Sequence, residues 1–267
     1  MDNILEGRKS SLTQIPGLNS EAPYFSRLSA RSALYTEFQL LINGQPTALS
    51  AKAYRSLVID ENFLARPSVW ARRKLWEELH CRYRLDADDQ LFKMFWTEWQ
   101  SCGSDPERGL TAYVLLALND RLVANLGVEW LFPLLVRAPA ELRPQEIHAF
   151  VERAAGQHPE VLRWSEKTAS AVAQKYCASI RDFGLAKGIA KKVTVRPSLY
   201  GAPVRLLLRA LRLIGTADLE IIRHRIFRLL GIDVPEVITA LGELNRLEQI
   251  RFRMQGDVVE LDLQAAA

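Results

Sequence analysis

The chain has 267 residues, 48% hydrophobic and 25% charged, which are values of an ordinary globular protein and exclude a globally disordered or fibrous one. Its net charge of +4 is unevenly spread: residues 1–162 carry 18 Lys/Arg against 20 Asp/Glu, whereas residues 163–253 carry 17 against 8. Three scattered cysteines (Cys81, Cys102, Cys177) exclude a disulfide framework and suit a reducing, cytoplasmic compartment, and the most apolar runs, 110–118 and 126–136, are shorter than the about 20 residues that span a bilayer.

The start, from Met1 to Arg8, lacks the basic-then-apolar pattern of a secretory signal. Residues 1–22 show no apolar periodicity and read as a flexible lead. Helical signals then follow closely. Ser29 is placed to cap a helix with Leu34, Phe38, Leu41 and Ile42 on one face, stopping near Asn43-Gly44. Ser50 opens a second helix through Tyr54, Leu57 and Val58, and Pro67 suits the first turn of a third that runs to Cys81. Leu91, Phe95 and Trp99 stand at helical spacing in a fourth, over 86–99. Asp105-Pro106 reads as a cap with proline behind it, opening a long apolar helix to about Ala124. Shorter helices are expected over 128–136 and 144–155, completing a helical domain at 23–162.

Ser165 caps the next helix, which buries Ala169, Val172, Ala173, Tyr176 and Ile180 and ends at Gly184 as a helix ends at a C′ glycine. After it, Gly188 can turn the chain and Val193-Thr194-Val195 is a β-branched run stopped by Pro197, so 163–202 reads as a helix plus a basic, wing-like hairpin. Three further helices are expected: 204–214; 217–230 capped by Thr216; and a third opened by the Asp233/Glu236 capping pair. From Ile250 the apolar period shortens to two, with Ile250, Phe252 and Met254 before Gln255-Gly256, and Val259, Leu261 and Leu263 after it. Residues 203–267 therefore read as a winged helix-turn-helix. The fold class expected is mainly α: an N-terminal helical bundle followed by winged-helix-like elements with short β-hairpins.

A basic third on a neutral remainder is the electrostatic footprint of a phosphate backbone or an acidic partner. The candidate nucleic-acid-binding residues are Lys187, Lys191, Lys192 and Arg196 on the first hairpin, with no acid nearby in sequence. Arg205, Arg209 and Arg212 form one stripe of the following helix, where a solvated face is the plain alternative. Arg223 and Arg225 lie on the next helix, Arg246 on the would-be recognition helix, and Arg251 and Arg253 on the second wing. Glu236 and Glu243 on that recognition helix would repel phosphates, and winged helices also serve as protein-contact modules, so duplex DNA and a protein partner both stay open for this element. A second basic cluster, Arg72, Arg73, Lys74, Arg82 and Arg84 among Trp70, Trp76 and Tyr83, has Glu77 and Glu78 to pair with and reads as scaffold.

Chemistry finds little footing. His80, His148, His158 and His224 are isolated, no metal-ligand spacing or phosphate-cradling glycine loop occurs, and no cofactor is implied. His80 and Cys81 are neighbours on a helix, where adjacent side chains point about 100° apart. A non-enzymatic protein is expected.

Several stretches resemble the BrxA family of the BREX bacteriophage-exclusion systems. They are Tyr24-Phe25-Ser26-Arg27-Leu28 and its following helix; Val58 to Leu64 with Arg66-Pro67-Ser68 and Ala71-Arg72-Arg73; His158-Pro159-Glu160-Val161; Trp164-Ser165-Glu166-Lys167-Thr168; and the stretch to Val195-Arg196-Pro197. The resemblance spans about 24–212. Ala30-Arg31-Ser32-Ala33 replaces the family's usual glycine-rich, acidic helix start, and 216–263 looks like an extension beyond the common core. The resemblance implies a cytoplasmic helical protein, likened in that family to the antitermination factor NusB. It implies binding of double-stranded DNA and phage defence beside other BREX subunits; members are sometimes labelled inner-membrane proteins, and the short apolar runs argue against that label here. Docking onto another defence subunit and NusB-like RNA binding are the alternative readings.

Overall fold

A computed structural model of the chain describes residues 15–199 and 201–263. It is mainly helical, with two small antiparallel hairpins, as the sequence patterns require. The helices of the first half are α1 (Tyr35–Asn43), α2 (Ala51–Ile59), α3 (Val69–Tyr83), α4 (Gln90–Ser101), α5 (Asp105–Asn119), α6 (Arg121–Asn125), α7 (Phe132–Val136) and α8 (Pro144–Ala154). A π-helical stretch, Leu126–Leu131, joins α6 to α7. Then come α9 (Glu166–Asp182), strands β1 (Ala186–Lys187) and β2 (Val193–Thr194), α10 (Gly201–Leu213), α11 (Asp218–Arg223), α12 (Val234–Arg246), β3 (Arg251–Gln255) and β4 (Val258–Asp262).

The apolar α5 lies at the centre, buried from Gly109 to Asn119. Around it Phe38, Tyr83, Phe92, Phe95 and Trp99 form an aromatic cluster, with Phe38 stacked on Tyr83 at 3.8 Å between ring centroids. One continuous core runs from Ile15 to Leu261, and α10 packs on both α4 and α5. The basic third is thus fastened to the first half through shared core.

Several helix ends differ from the expectations, each for a local reason. The described end of the lead is packed: Ile15 is buried and the turn Pro16–Leu18 lies against α5 and α6, with Gly17 so close to the Ala117 carbonyl that a Cβ there would collide with it. The rest of the expected flexible lead, 1–14, lies outside the described residues. Ser29 sits in a 3-10 turn, and α1 starts five residues later from a left-handed Leu34. Pro67 lies before α3 and not in its first turn, because Ser68 caps the helix by accepting from the Ala71 N–H at 3.1 Å. Asp89 caps α4, and Ser104 rather than Asp105 caps α5. Ala217 in place of Thr216 precedes α11, and its helix stops at an extended His224 before a 3-10 turn, Arg225–Leu230.

The long helix to Ala124 is broken at Asp120, whose extended backbone ends α5 and whose Oδ1 accepts from the N–H groups of Leu122 (3.0 Å) and Val123 (3.2 Å) to start α6. Burial pushes the Asp120 carboxyl up to about 6, against the pull of Arg27 and those two N–H donors. A carboxyl raised in the folded state above its unfolded value of about 3.9 binds a proton more readily when folded, so its contribution to stability improves as pH falls through 6 toward 4. His224 acts oppositely, because burial and then Arg225 and Arg121 lower its pKa. Comparison with Asp120→Asn, which keeps an acceptor for the cap, isolates the first effect. The variant is expected to be the more stable by roughly 3 kcal/mol at pH 7, with the gap closing by about pH 4 in urea titrations. A pH-independent gap would refute the assignment.

Candidate nucleic-acid interface

The first hairpin grows out of the end of α9. Gly184, at φ +82, lets its own N–H reach the Arg181 carbonyl and the Leu185 N–H reach the Ile180 carbonyl, both at 2.9 Å, closing the helix as a Schellman motif. The chain leaves extended, and Ala186 pairs with Thr194 and Lys187 with Val193. The 140–142 segment supplies a third edge: Leu142 N–H donates to the Lys192 carbonyl and Thr194 N–H to the Ala140 carbonyl, both at 2.8 Å. Gly188, at φ +98, makes the turn, and a Cβ on it would strike the Lys191 carbonyl oxygen. Ile189 at the tip is 83% exposed.

Behind the hairpin, α8, α9 and the turn enclose a polar groove of about 570 Å³, with Gln145 and His148 on one wall, Ser170, Gln174 and Lys175 on another, and Lys192 at the hairpin end. Glu166 is its one acid. Lys175 and Lys192 make no ion pair among the described residues, and the Lys192 ammonium donates to the Ile189 carbonyl at 2.9 Å, bracing the tip. Lys187 also makes no ion pair there. Lys191, acid-free in sequence, meets Glu141 at 3.3 Å because the third edge brings that residue alongside. Arg196 is likewise held by Glu236 from α12.

The remaining candidates are placed differently. Arg205 and Arg209 close onto one carboxylate, Glu98 of α4, at 2.7 and 2.8 Å. Arg205 also donates to Ser101 and Gln249. These two turn toward the bundle, Arg205 largely buried and Arg209 with about a third of its side chain exposed. Arg212 is bound to Asp218 and to the Leu261 carbonyl, fastening α10 to the second hairpin. Arg223 pairs with Asp257, Arg225 with Glu129 and Arg246 with Glu243, all on the surface. Arg251 and Arg253 stand across the strand from Asp262 and Glu260, with no ion pair from either arginine among the described residues. Much of the positive charge of the last third is therefore neutralised locally; among the described residues the cations left without an ion pair lie around α9 and the first hairpin and, as Arg251 and Arg253, on the second. Sequence reading missed Lys175, Gln145 and His148. Lys175 carried a signal, standing on the polar face of α9 within the basic third.

Most of the second basic cluster is tied into the scaffold, as its neighbouring acids suggest, whereas Arg73 is exposed with no ion pair among the described residues and Trp70 is 74% exposed. Arg82 is buried and bound to Glu78 and to the Arg27 and Arg31 carbonyls; Arg84 is held by Asp89, and Arg72 donates to the Ile59 carbonyl at 2.5 Å. His80 stacks on Trp76. Burial pushes the Cys102 and Cys177 thiols up to about 11, far from a nucleophile's range.

The sequence profile of the BrxA family matches residues 22–210, about seven-tenths of the chain. The chain belongs to the BrxA family. Membership makes it a BREX-associated phage-defence protein. No curated protein and no solved structure matches it. The stretches that resemble BrxA in sequence serve the BrxA fold as fasteners. Tyr24 stacks on His158 at 3.6 Å, its OH accepts from the Asn125 amide at 2.6 Å, and its N–H donates to Glu160, tying the chain's entry to the 158–161 turn. Burial opposes ionisation of Glu160, yet the Tyr24 N–H, its own backbone N–H and His158 together hold its carboxyl below the usual range. Ser165 caps α9 through the Thr168 N–H at 3.2 Å. The match stops within α10, so α11, α12 and the second hairpin lie beyond it. No described helix is long and apolar enough to cross a membrane, and no described cluster of His, Cys, Asp and Glu could hold a metal.

Proposed function

We propose that this BrxA-family chain is a non-enzymatic accessory protein that binds double-stranded DNA in BREX defence, with the first hairpin and the α8–α9 groove as its principal contact. The observation that supports this is the convergence of Lys175 and Lys192 on one groove, neither with an ion-pair partner among the described residues, beside Lys187 on the same hairpin and an exposed tip. Lysines without partners can exchange bound counterions for phosphates, whereas arginines already saturated by carboxylates gain less from doing so. The hairpin reads as a wing that follows the backbone, with the 163–202 segment as a unit of recognition.

The test is a gel-shift titration of random duplex against salt, with Lys191→Glu/Lys192→Glu beside the wild type. Each phosphate contact contributes about 0.9 to the slope of log affinity against log salt, so the double reversal flattens the slope by about one to two, Lys191 being partly engaged by Glu141, and weakens all sequences alike. No duplex affinity even at low salt would end this reading. RNA duplexes as competitors separate DNA from RNA binding.

A second reading applies to 201–263. We read this three-helix-plus-hairpin unit as a winged helix turned toward a protein, another BREX subunit. Glu98, Asp218, Asp257 and Glu243 neutralise five of its arginines (Arg205, Arg209, Arg212, Arg223 and Arg246), and Leu199 and Leu247 are exposed on a cleft between α10 and α12. Binding of that subunit that persists in high salt and ignores added DNA supports it.

A further inference from the structure

A separate pocket lies on another part of the molecule. The packed turn Pro16–Leu18 with Ser20, the helix α6 and the break at His224 enclose a cavity of about 200 Å³, lined among others by Gly17, Ser20, Arg121, Asn125, His224 and Arg225. Arg121 is only 9% exposed. Its Nη1 donates to the Gly17 carbonyl at 3.3 Å, its Nε is buried with no hydrogen-bond partner, and it makes no ion pair among the described residues. Among the described residues the other buried arginine and the buried glutamates have a counter-charge: Arg82 has Glu78, and Glu98 has Arg205 and Arg209. A buried charge is ordinarily paired, because removing an ion from water is costly.

The neighbourhood makes this cation more conspicuous. Arg225 lines the same cavity, a like charge beside Arg121, and its partner Glu129 at 3.2 Å is already engaged. Burial first and Arg225 second lower the pKa of Arg121, with Tyr24, Glu129 and Glu21 opposing from longer range. The His224 Nδ1 accepts the Ile226 N–H at 3.2 Å, so the neutral ring carries its proton on Nε2 and is a donor there. Asn125 spends its amide on the Tyr24 OH. The Arg121 guanidinium and the His224 imidazole, donors with no ion pair to a described carboxylate, beside the Glu129-paired Arg225, make an oxyanion site. The volume is below the roughly 300 Å³ at which pockets begin to hold drug-sized molecules, so the occupant is a small anion or the phosphate end of something larger.

We infer that Arg121, Arg225 and His224 form a binding pocket for a phosphate group, either a free phosphate or mononucleotide, or a backbone phosphate of nucleic acid. The pocket does not rest on the hairpin proposal. Two of its three donors lie beyond residue 210 and so outside the family match, which makes it a property of this chain and not of the matched core.

Calorimetry and thermal unfolding of the full chain with inorganic phosphate at low ionic strength test it, followed by AMP and by duplex DNA. Saturable phosphate binding is expected, with a rise in Tm that follows ligand concentration. Arg121→Gln should lose it by about tenfold or more, and Arg225→Gln, at the rim, by several-fold. If AMP binds more tightly than phosphate and R121Q leaves duplex affinity intact, the source is a free phosphoryl ligand. If AMP adds nothing and R121Q lowers the salt slope for duplex by about one, it is a backbone phosphate. Absence of saturable phosphate or AMP binding overturns the pocket, and so does binding unchanged in both variants. Should R121Q fail to fold, the wild-type titration and R225Q decide alone.

Discussion

Replacing Glu98 with alanine is expected to lower the unfolding free energy by about 3–5 kcal/mol, the largest stability loss of any single charge removal here. Glu98 is 1% exposed and is the shared anion for Arg205 and Arg209. Its removal leaves Arg205, itself largely buried, and Arg209, about a third exposed, as unneutralised like charges one turn apart on α10, both turned toward α4. Glu98→Gln keeps the volume and one carbonyl acceptor, enough for one guanidinium, but loses the charge and sets an NH2 donor against the other arginine, so it should recover only part of the alanine variant's loss. Urea unfolding of both variants measures this. A loss below about 1 kcal/mol for the alanine variant, typical of a surface pair, would mean the triad is solvated and does not clamp α10. The Arg205→Met/Arg209→Met/Glu98→Met triple variant should recover much of the loss, since well-packed apolar groups often replace a buried ionic cluster at little cost.

That triad also shows where sequence reading stops. The helix stripe of Arg205, Arg209 and Arg212 was legible, but its direction was not, because the partner acid lies more than 100 residues away. A signal did exist. Glu98 stands beside Trp99, seven residues from Leu91, and therefore on the apolar face of α4, where an acid needs a buried base. The caps that depend on adjacent residues were readable: Ser50, Ser165, the Asp233/Glu236 capping box, and Gly184 closing α9. Period-two alternation from Ile250 gave the second hairpin, whose strands pair from Arg251–Asp262 to Gln255–Val258. Breaks were harder. Asp120 and His224 end helices inside otherwise continuous apolar patterns, since buried caps on both sides outweigh propensity there. The groove beside the first hairpin was invisible because Lys175, Gln145 and Lys192 come from three elements that only packing brings together.

The turn of that hairpin allows charge to be separated from shape. Gly188→Val leaves the net charge and every lysine in place, yet it puts a β-branched side chain at φ +98 and drives its Cβ into the Lys191 carbonyl. Such strain costs about 1–3 kcal/mol locally. The hairpin has only two paired residues per strand, so the turn is expected to give way while α9, closed one turn earlier at Gly184, keeps its helix. Global stability should fall by no more than that local cost, because Ile189 and its neighbours are exposed and contribute little to the core. Duplex affinity, however, should fall by roughly tenfold, and the salt slope should flatten by about one to two, as the Lys191–Lys192 reversal also predicts. Agreement between the two variants would mean that the lysines must be presented by an ordered wing. If Gly188→Val binds duplex with wild-type affinity and slope while the lysine reversal does not, the hairpin contributes charge alone and its geometry is irrelevant to binding.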